Sequence, residues 1–355
     1  MEQQFTLRRF NNVLLAILLF FGILSLGSSF IIPVAIGGLF AMLLAPVCKK
    51  LEQWGVPRTA AALLCVLTVV IALGVLIFLL INQLTALAND LPELGQRLND
   101  LLDQIHGFIT DNFEVTRKTQ NEYLQQGLES SLQYASTYIT RILFFAGNML
   151  IDFIIIMSYT LLFLLYRSRL KKFILRLASN YDTNARDIVS KITTVASSYI
   201  SGVFLVVAIL ATINTVGLMV IGIEHALLFG LMAGLLNIIP YLGSIVGSLI
   251  PVLFALLTKE SLATPLIVAI FFLVVQQIES YVLTPNITGA KIKLNPMATL
   301  MVLLLGGVIW GIAGMILFVP YLGIAKVIFD NVDKLNPFGY VLGKGEEEDS
   351  EAPAT

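Results

Sequence analysis

Few carboxylates fall between residues 201 and 330, and one of them sits beside two glutamines. Glu279 follows Gln276 and Gln277 near the end of an apolar run, Pro265 to Leu283. A carboxylate there can exchange a proton, hold a cation or accept a hydrogen bond from a solute, and the glutamines add donors and acceptors beside it. The competing reading is an interfacial carboxylate paired with Lys291 or Lys293. A second carboxylate, Asp152, lies within the apolar run Ile142 to Tyr166, one turn from Asn148. Inside a membrane such a residue is a functional candidate by default, although it can also pair with a neighbour or carry its proton. Asn214 and Asn237 read as hydrogen-bonding residues between helices. His106 and His225 have no ligand partner at metal-site spacing and read as solvated. Cys48 and Cys65 read as small apolar residues.

Two apolar stretches are interrupted in a related way. One carries Asn237-Ile-Ile-Pro240-Tyr241-Leu-Gly243, and the other Phe318-Val-Pro320-Tyr321-Leu-Gly323. With one gap, Gly230 to Gly243 can be aligned on Gly311, Gly314 and the residues to Gly323. A broken helix frees backbone N–H and C=O groups that cannot face lipid, so they must meet protein, water or a solute. Tyr241 and Tyr321 are either interface anchors or part of a solute path.

The elements that position these residues are membrane helices. The chain has 355 residues, 57% of them hydrophobic and 13% charged. Its mean hydropathy is +0.87. Several runs exceed about 18 residues without a charge, so the expected fold is all-α and polytopic. No cofactor or metal motif is present: there is no P-loop lysine, no H-E-x-x-H, no G-x-S-x-G and no Cys/His cluster. These absences argue against an enzyme, and nothing in the charge pattern suggests nucleic acid.

Val13 to Val47 is too long for one span, and Pro33 is expected to divide it into helices of about 13–31 and 33–48. Thr59 to Asn82 is the third span. Residues 83–141 hold four basic against eight acidic residues, a net charge of −4. Apolar residues at 84, 87, 91, 94, 98, 101, 105 and 108 form a heptad seam, and Leu124, Leu128, Leu132, Ala135 and Ile139 form a second stripe. With Asp90 and Glu93 as a capping box and Pro92 in the first turn, the expectation is an amphipathic helical hairpin outside the membrane, used for packing or as an oligomer contact.

Arg167 to Lys191 holds seven basic and two acidic residues. Charge bias therefore places this loop and the Lys49–Arg58 loop in the cytoplasm, the acidic hairpin outside and both termini inside. Ala185 to Gly202 reads as an amphipathic lead-in to a span at Val203 to Ile223. Ala226 to Leu257, split at Pro240, and Met297 to Phe329, interrupted by Gly311, Gly314 and Pro320, are expected to be re-entrant hairpins entering from opposite sides. A polar loop, Thr284 to Pro296, separates them.

The organisation follows: scaffold helices 1–82, outer hairpin 83–141, fourth span and basic loop 142–200, a core at 201–330 built as an inverted repeat of span plus hairpin, and an acidic tail at 331–355, partly disordered.

Gln276-Gln-Ile-Glu279-Ser-Tyr-Val-Leu-Thr-Pro285-Asn-Ile-Thr-Gly289, with Leu294-Asn-Pro296, Gly306-Gly307, Gly311, Gly314 and Val319-Pro320, resembles the C-terminal signature of the autoinducer-2 exporter (AI-2E) family, the PerM-like permeases. Asn237 to Ser244, Ile32-Pro33 through Ala45-Pro46, and Val56-Pro57-Arg58 resemble its earlier motifs. The resemblance covers nearly the whole chain. It implies a bacterial inner-membrane permease, export of autoinducer-2 or sodium/proton antiport, and a homo-oligomer such as a pentamer. Where the family often has Glu before Pro285, this chain has Thr284, and Asp152 falls on no motif of the family.

The expected function is transport of a small polar solute, with H+ or Na+ as a coupling partner. The alternatives are sodium/proton antiport and a non-transporting membrane scaffold. Glu279 and Gln277 are the expected coordinating residues, and the solute is expected near Asn237–Gly243 and Gly311–Gly323.

Overall fold

The computed structural model describes residues 2–113, 150–176, 185–239, 242–259, 261–289 and 294–343. These residues are helical almost throughout. They form α1 (Glu2–Leu26), α2 (Ser28–Gln53), α3 (Arg58–Phe113), α4 (Leu150–Arg176), α5 (Ala185–Ile221), α6 (Ala226–Leu236), α7 (Leu242–Thr258), α8 (Ala263–Ile278), α9 (Pro296–Asn331) and α10 (Asn336–Leu342). Among the described residues, seven helices are long and apolar enough to cross a membrane, and α6 and α7 are shorter apolar helices. Leu26, Val220 and Val308 are each more than 80% exposed, and α1, α8 and α9 carry many more exposed apolar side chains. Apolar faces this extensive belong in hydrocarbon, where backbone groups must be satisfied inside helices. The chain is a polytopic membrane protein.

Several boundaries differ from the sequence expectation. The first apolar run breaks at Gly27, not at Pro33, and α2 runs through both the buried Pro33 and the exposed Pro46. Gly27 has φ −85° and ψ 6°, and its carbonyl receives Phe30 and Ile31 N–H, so the break needs only one residue out of helical geometry. The capping box at Asp90 and Glu93 does not start a helix. α3 runs unbroken for 56 residues, roughly 84 Å at 1.5 Å per residue. The first heptad seam is therefore a continuation of the third span, while the second stripe, 124–139, lies outside the described residues. The lead-in at 185–202 and the fifth span are likewise one helix, because nothing between them breaks the hydrogen-bond ladder.

The chain forms two compact units. The first comprises Met1–Val69, Asp152–Val203 and Asn286–Thr355, and the second Val70–Ile151 and Phe204–Pro285.

In the first unit, α2 and α4 approach closely at Gly37, where an added Cβ would lie 2.8 Å from Tyr159 Cβ. The Arg58 guanidinium donates to Leu164 O (3.2 Å) and Ser168 Oγ (3.1 Å), and Arg167 pairs with Glu52. Leu39, Ile200 and Leu317 form a buried core. Asn295 caps α9 by accepting from Ala298 N–H at 2.7 Å, and its amide nitrogen donates to the Val341 and Gly343 carbonyls at the end of α10. One side chain thus satisfies an orphan donor at a helix start and two carbonyls at a helix end.

α9 is two helical limbs joined at Gly311, whose φ of 58° and ψ of −139° suit glycine alone. The limbs fold back on each other: Cβ atoms added at Gly306 and Gly314 would collide with the opposite glycine's backbone, and Trp310 stacks on Phe318 at 5.1 Å. Pro320 does not interrupt the second limb, and it lies buried within the helix.

In the second unit, α5 stops at Gly222 (φ +84°), with Ile223 N–H returning to Leu218 O at 2.9 Å. This left-handed stop satisfies carbonyls that α5 would otherwise leave open. α6 and α7 pair as antiparallel neighbours around a core of Phe229, Ala233, Phe254, Ala255, Val268 and Phe272. The C-terminal part of α3 is fastened within this unit by Asp90, which meets His225 Nε2 at 2.8 Å, and by Arg97, which donates to Thr258 O.

Candidate functional site

The second unit contains a cavity of about 410 Å³ formed by α5, α6, α7, α8 and their connections. Its position follows from small residues. An added Cβ at Gly230 would overlap Thr215, and one at Gly234 would overlap Ala211, so α6 lies directly against α5. Gly247 of α7 similarly meets Ala233 of α6, with an added Cβ 2.9 Å from Ala233 Cα. Such small-residue contacts let backbones approach in lipid, where no hydrophobic force draws helices together. The same closeness puts Asn214, Asn237, Ser244, Ser248, Gln276 and Glu279 around one space. The remaining walls are apolar, with Leu210, Leu249 and Phe272 among them.

Asn237 lies at the end of α6, where Ile238 and Ile239 N–H turn back to Leu235 and Leu236 carbonyls. α6 ends at Leu236 and α7 begins at Leu242, and Pro240 and Tyr241 fall outside the described residues. Gly243 opens α7 so close to α6 that a Cβ would sit 1.8 Å from Leu236 O. Its role is to permit the reversal.

Glu279 begins a π-helical segment, Glu279–Leu283, followed by a second, Pro285–Gly289. The first half of the expected polar loop is therefore helical, in the wider geometry that is common at functional sites. One oxygen of Glu279 accepts from Gln276 Nε2 at 2.7 Å and the other from Thr284 Oγ1 at 2.9 Å. Gln276 also reaches Ser280 Oγ at 3.3 Å. The carboxylate is held between an amide one turn back and a hydroxyl one wide turn ahead. Thr284, read from the sequence as the loss of a second acid, serves here as a donor to the first. Lys291 and Lys293, the proposed partners of Glu279, lie outside the described residues. Gln277 is exposed and does not line the cavity, and Pro285 is also exposed.

The other sequence candidates belong to the first unit. Gly311 and Gly314 form the reversal of α9, and Tyr321 donates its hydroxyl to Ala35 O at 2.9 Å. Asp152 is exposed near the start of α4.

Ser244 and Ser248 escaped sequence reading, and Asn214 was read as a hydrogen-bonding residue between helices and not as part of a site. Asn214 is 4% exposed, and its Oδ1 has no hydrogen-bond partner among the described residues. Ser244 and Ser248 line the wall of α7. Their i, i+4 spacing was a usable signal, and Asn214 was visible as a polar residue in an apolar helix. Neither signal said which space it faced. Among the described residues, no group of three or more His, Cys, Asp and Glu side chains could hold a metal ion.

Comparison with known proteins bears on this geometry. Residues 14–334 match the family described as "AI-2E family transporter". YrrI of Bacillus subtilis is 30% identical, over 89% of this chain and 92% of its own length. YueF of the same organism is 26% identical, over 87% and 85%. YhhT of Escherichia coli K12 is 24% identical, over 86% of each. All three carry the name "Putative transport protein".

Proposed function

The chain belongs to the AI-2E family of membrane transporters, a family of transport proteins and not of enzymes, and from that premise we propose that its solute binds in the cavity of the second unit. The observation that carries this reading is Glu279: a half-buried carboxylate, oriented by Gln276 and Thr284, on a cavity with mainly apolar walls. A site of this kind, apolar with a few placed polar groups, suits a small solute. Asn237 and Gln276 supply further polar contacts, and the backbone around Asn237 leaves helical geometry beside the same space.

The reading includes a topology. Both termini lie on the cytoplasmic side of a bacterial inner membrane, and α6–α7 and the limbs of α9 are re-entrant hairpins in a core at 201–330. The charge map supports this arrangement, with the basic Arg167–Lys191 stretch inside and the acidic 83–141 stretch outside. Assembly as a homo-oligomer is part of the same proposal.

The test is flux in proteoliposomes across a panel of metabolites and cations. Wild type is expected to carry at least one solute saturably, and Glu279→Gln to lower that flux at least about tenfold, the loss of one charge-assisted contact. Flux that is unchanged in Glu279→Gln would remove the carboxylate from the mechanism. Sodium/proton antiport is the second reading, favoured because Glu279 is the one ionisable residue among the described residues that line the cavity. It predicts a pH change on adding Na+ that Glu279→Gln abolishes. A non-transporting scaffold predicts no flux in wild type and loss of a protein partner on deleting residues 90–140.

A further inference from the structure

Resting on the cavity as the solute site, we infer that its occupant is a small amphiphilic amine: one ammonium group on an apolar body. The polar lining is unbalanced. Asn214, more than nine-tenths buried, lines the cavity, and its amide oxygen has no hydrogen-bond partner among the described residues. A buried acceptor left open is unfavourable, so the partner it lacks must bring a donor. Glu279 accepts one hydrogen bond at each oxygen and has lone pairs to spare, since a carboxylate can accept about four. Gln276 directs its amide nitrogen at Glu279 and Ser280. The site therefore offers acceptors and negative charge.

No lysine, arginine or histidine is among the lining residues. An anionic solute would place its charge beside Glu279 in a medium that screens poorly, with no positive group among the described lining residues to offset it. An alcohol would satisfy Asn214 but leave the carboxylate uncompensated. An ammonium group does both, with three donors and one positive charge.

The rest of the space selects the body. Leu210, Leu249, Val252, Phe272 and Leu273 line a cavity of about 410 Å³. A bare cation would leave those walls without contacts, whereas a short alkyl or aryl chain removes them from water. Ser244 and Ser248, one turn apart on α7, tolerate a second polar substituent on the solute.

The experiment uses the full chain in lipid nanodiscs and calorimetric titration with n-hexylammonium, 1-hexanol, hexanoate and NaCl. Hexylammonium is expected to saturate one site and to bind at least about tenfold tighter than hexanol, with no binding of hexanoate. Glu279→Gln is expected to bring the amine down to the affinity of the alcohol. Asn214→Leu, nearly isosteric, is expected to weaken amine and alcohol by similar factors. The wild-type series needs no variant and guards against a misfolded one. Hexanoate binding as well as the amine, amine affinity unchanged in both variants, or saturable Na+ binding without amine binding would each overturn the inference. The outcomes separate it from the transport reading. Amine binding in the expected order with no solute carried in vesicles supports the amine site and sinks transport. Glu279-dependent flux together with equal binding of amine and hexanoate supports transport and overturns the amine assignment.

Discussion

The α6–α7 pair and the two limbs of α9 share a tetrapeptide, Pro-Tyr-Leu-Gly, yet reverse the chain by different means. In the first, α6 ends at Leu236, shortly before the shared motif, and α7 begins at Leu242, within it. In the second, Pro320, Tyr321 and Gly323 lie within a helical limb, and the reversal falls nine residues before Pro320, at Gly311. The motif does not itself break a helix. A proline is accommodated in α9, as Pro33 and Pro46 are in α2, and a glycine at positive φ does the turning.

The second difference is polarity. The α6–α7 reversal carries Asn237 and borders the cavity with Glu279. The α9 reversal is packed by Trp310 on Phe318, and Trp310 Nε1 donates to Leu24 O at 2.8 Å. One reversal thus borders a cavity with polar groups, and the other is closed by packing.

This contrast can be broken at several points. The largest effects are expected where the limbs touch. Gly314→Val and Gly243→Val each place side-chain atoms on a facing backbone, 2.0 Å from Gly306 O and 1.8 Å from Leu236 O already at Cβ. Each should destabilise by about 3 kcal/mol or more, read as thermal unfolding in detergent, because backbone cannot move aside as a side chain can. Tolerance of either variant would mean that hairpin does not need the close approach.

Gly311→Ala comes next. It has open space around the added Cβ but a backbone that alanine resists, so a loss of about 1–3 kcal/mol is expected with no clash. A neutral result would move the origin of the turn away from Gly311. Tyr321→Phe removes one hydrogen bond to Ala35 O and should lower stability by about 1 kcal/mol. Flux should be unchanged, and a large flux defect at unchanged stability would return Tyr321 to the solute path. Pro320→Ala should have the smallest effect, within about 1 kcal/mol, since the helix already runs through it. A collapse of the fold there would restore the proline as the structural break.

Much was legible in the sequence. The length of the apolar runs announced a polytopic helical membrane protein, because spanning a bilayer demands that length. The motifs around Glu279 and Asn237 announced the family. The division of the apolar run at 226–257 into two short helices, α6 and α7, was legible because residues on both sides of Pro240 are too few for full spans. The interruption at Pro33 was misread: proline removes one hydrogen bond, and a well-packed helix absorbs that loss, whereas Gly27 stops α1 with a single turn residue. The capping box at Asp90 was misread for a similar reason. Its residues fit a helix start locally, but a ladder already running through α3 is less costly to extend than to renucleate.

By itself, the sequence determined the solvent: charge is too sparse and apolar length too great for anything but a membrane. It also named Glu279 as a residue with chemistry to offer. Tertiary structure alone decided what faces Glu279. Gln276 and Thr284 lie close enough in sequence to be suspected, but Asn214 is 65 residues away, and only the stacking of Gly230 and Gly234 on α5 brings it to the same cavity. An unpaired acceptor is a property of a finished packing, since a hydrogen bond is missing only once every neighbour has been placed.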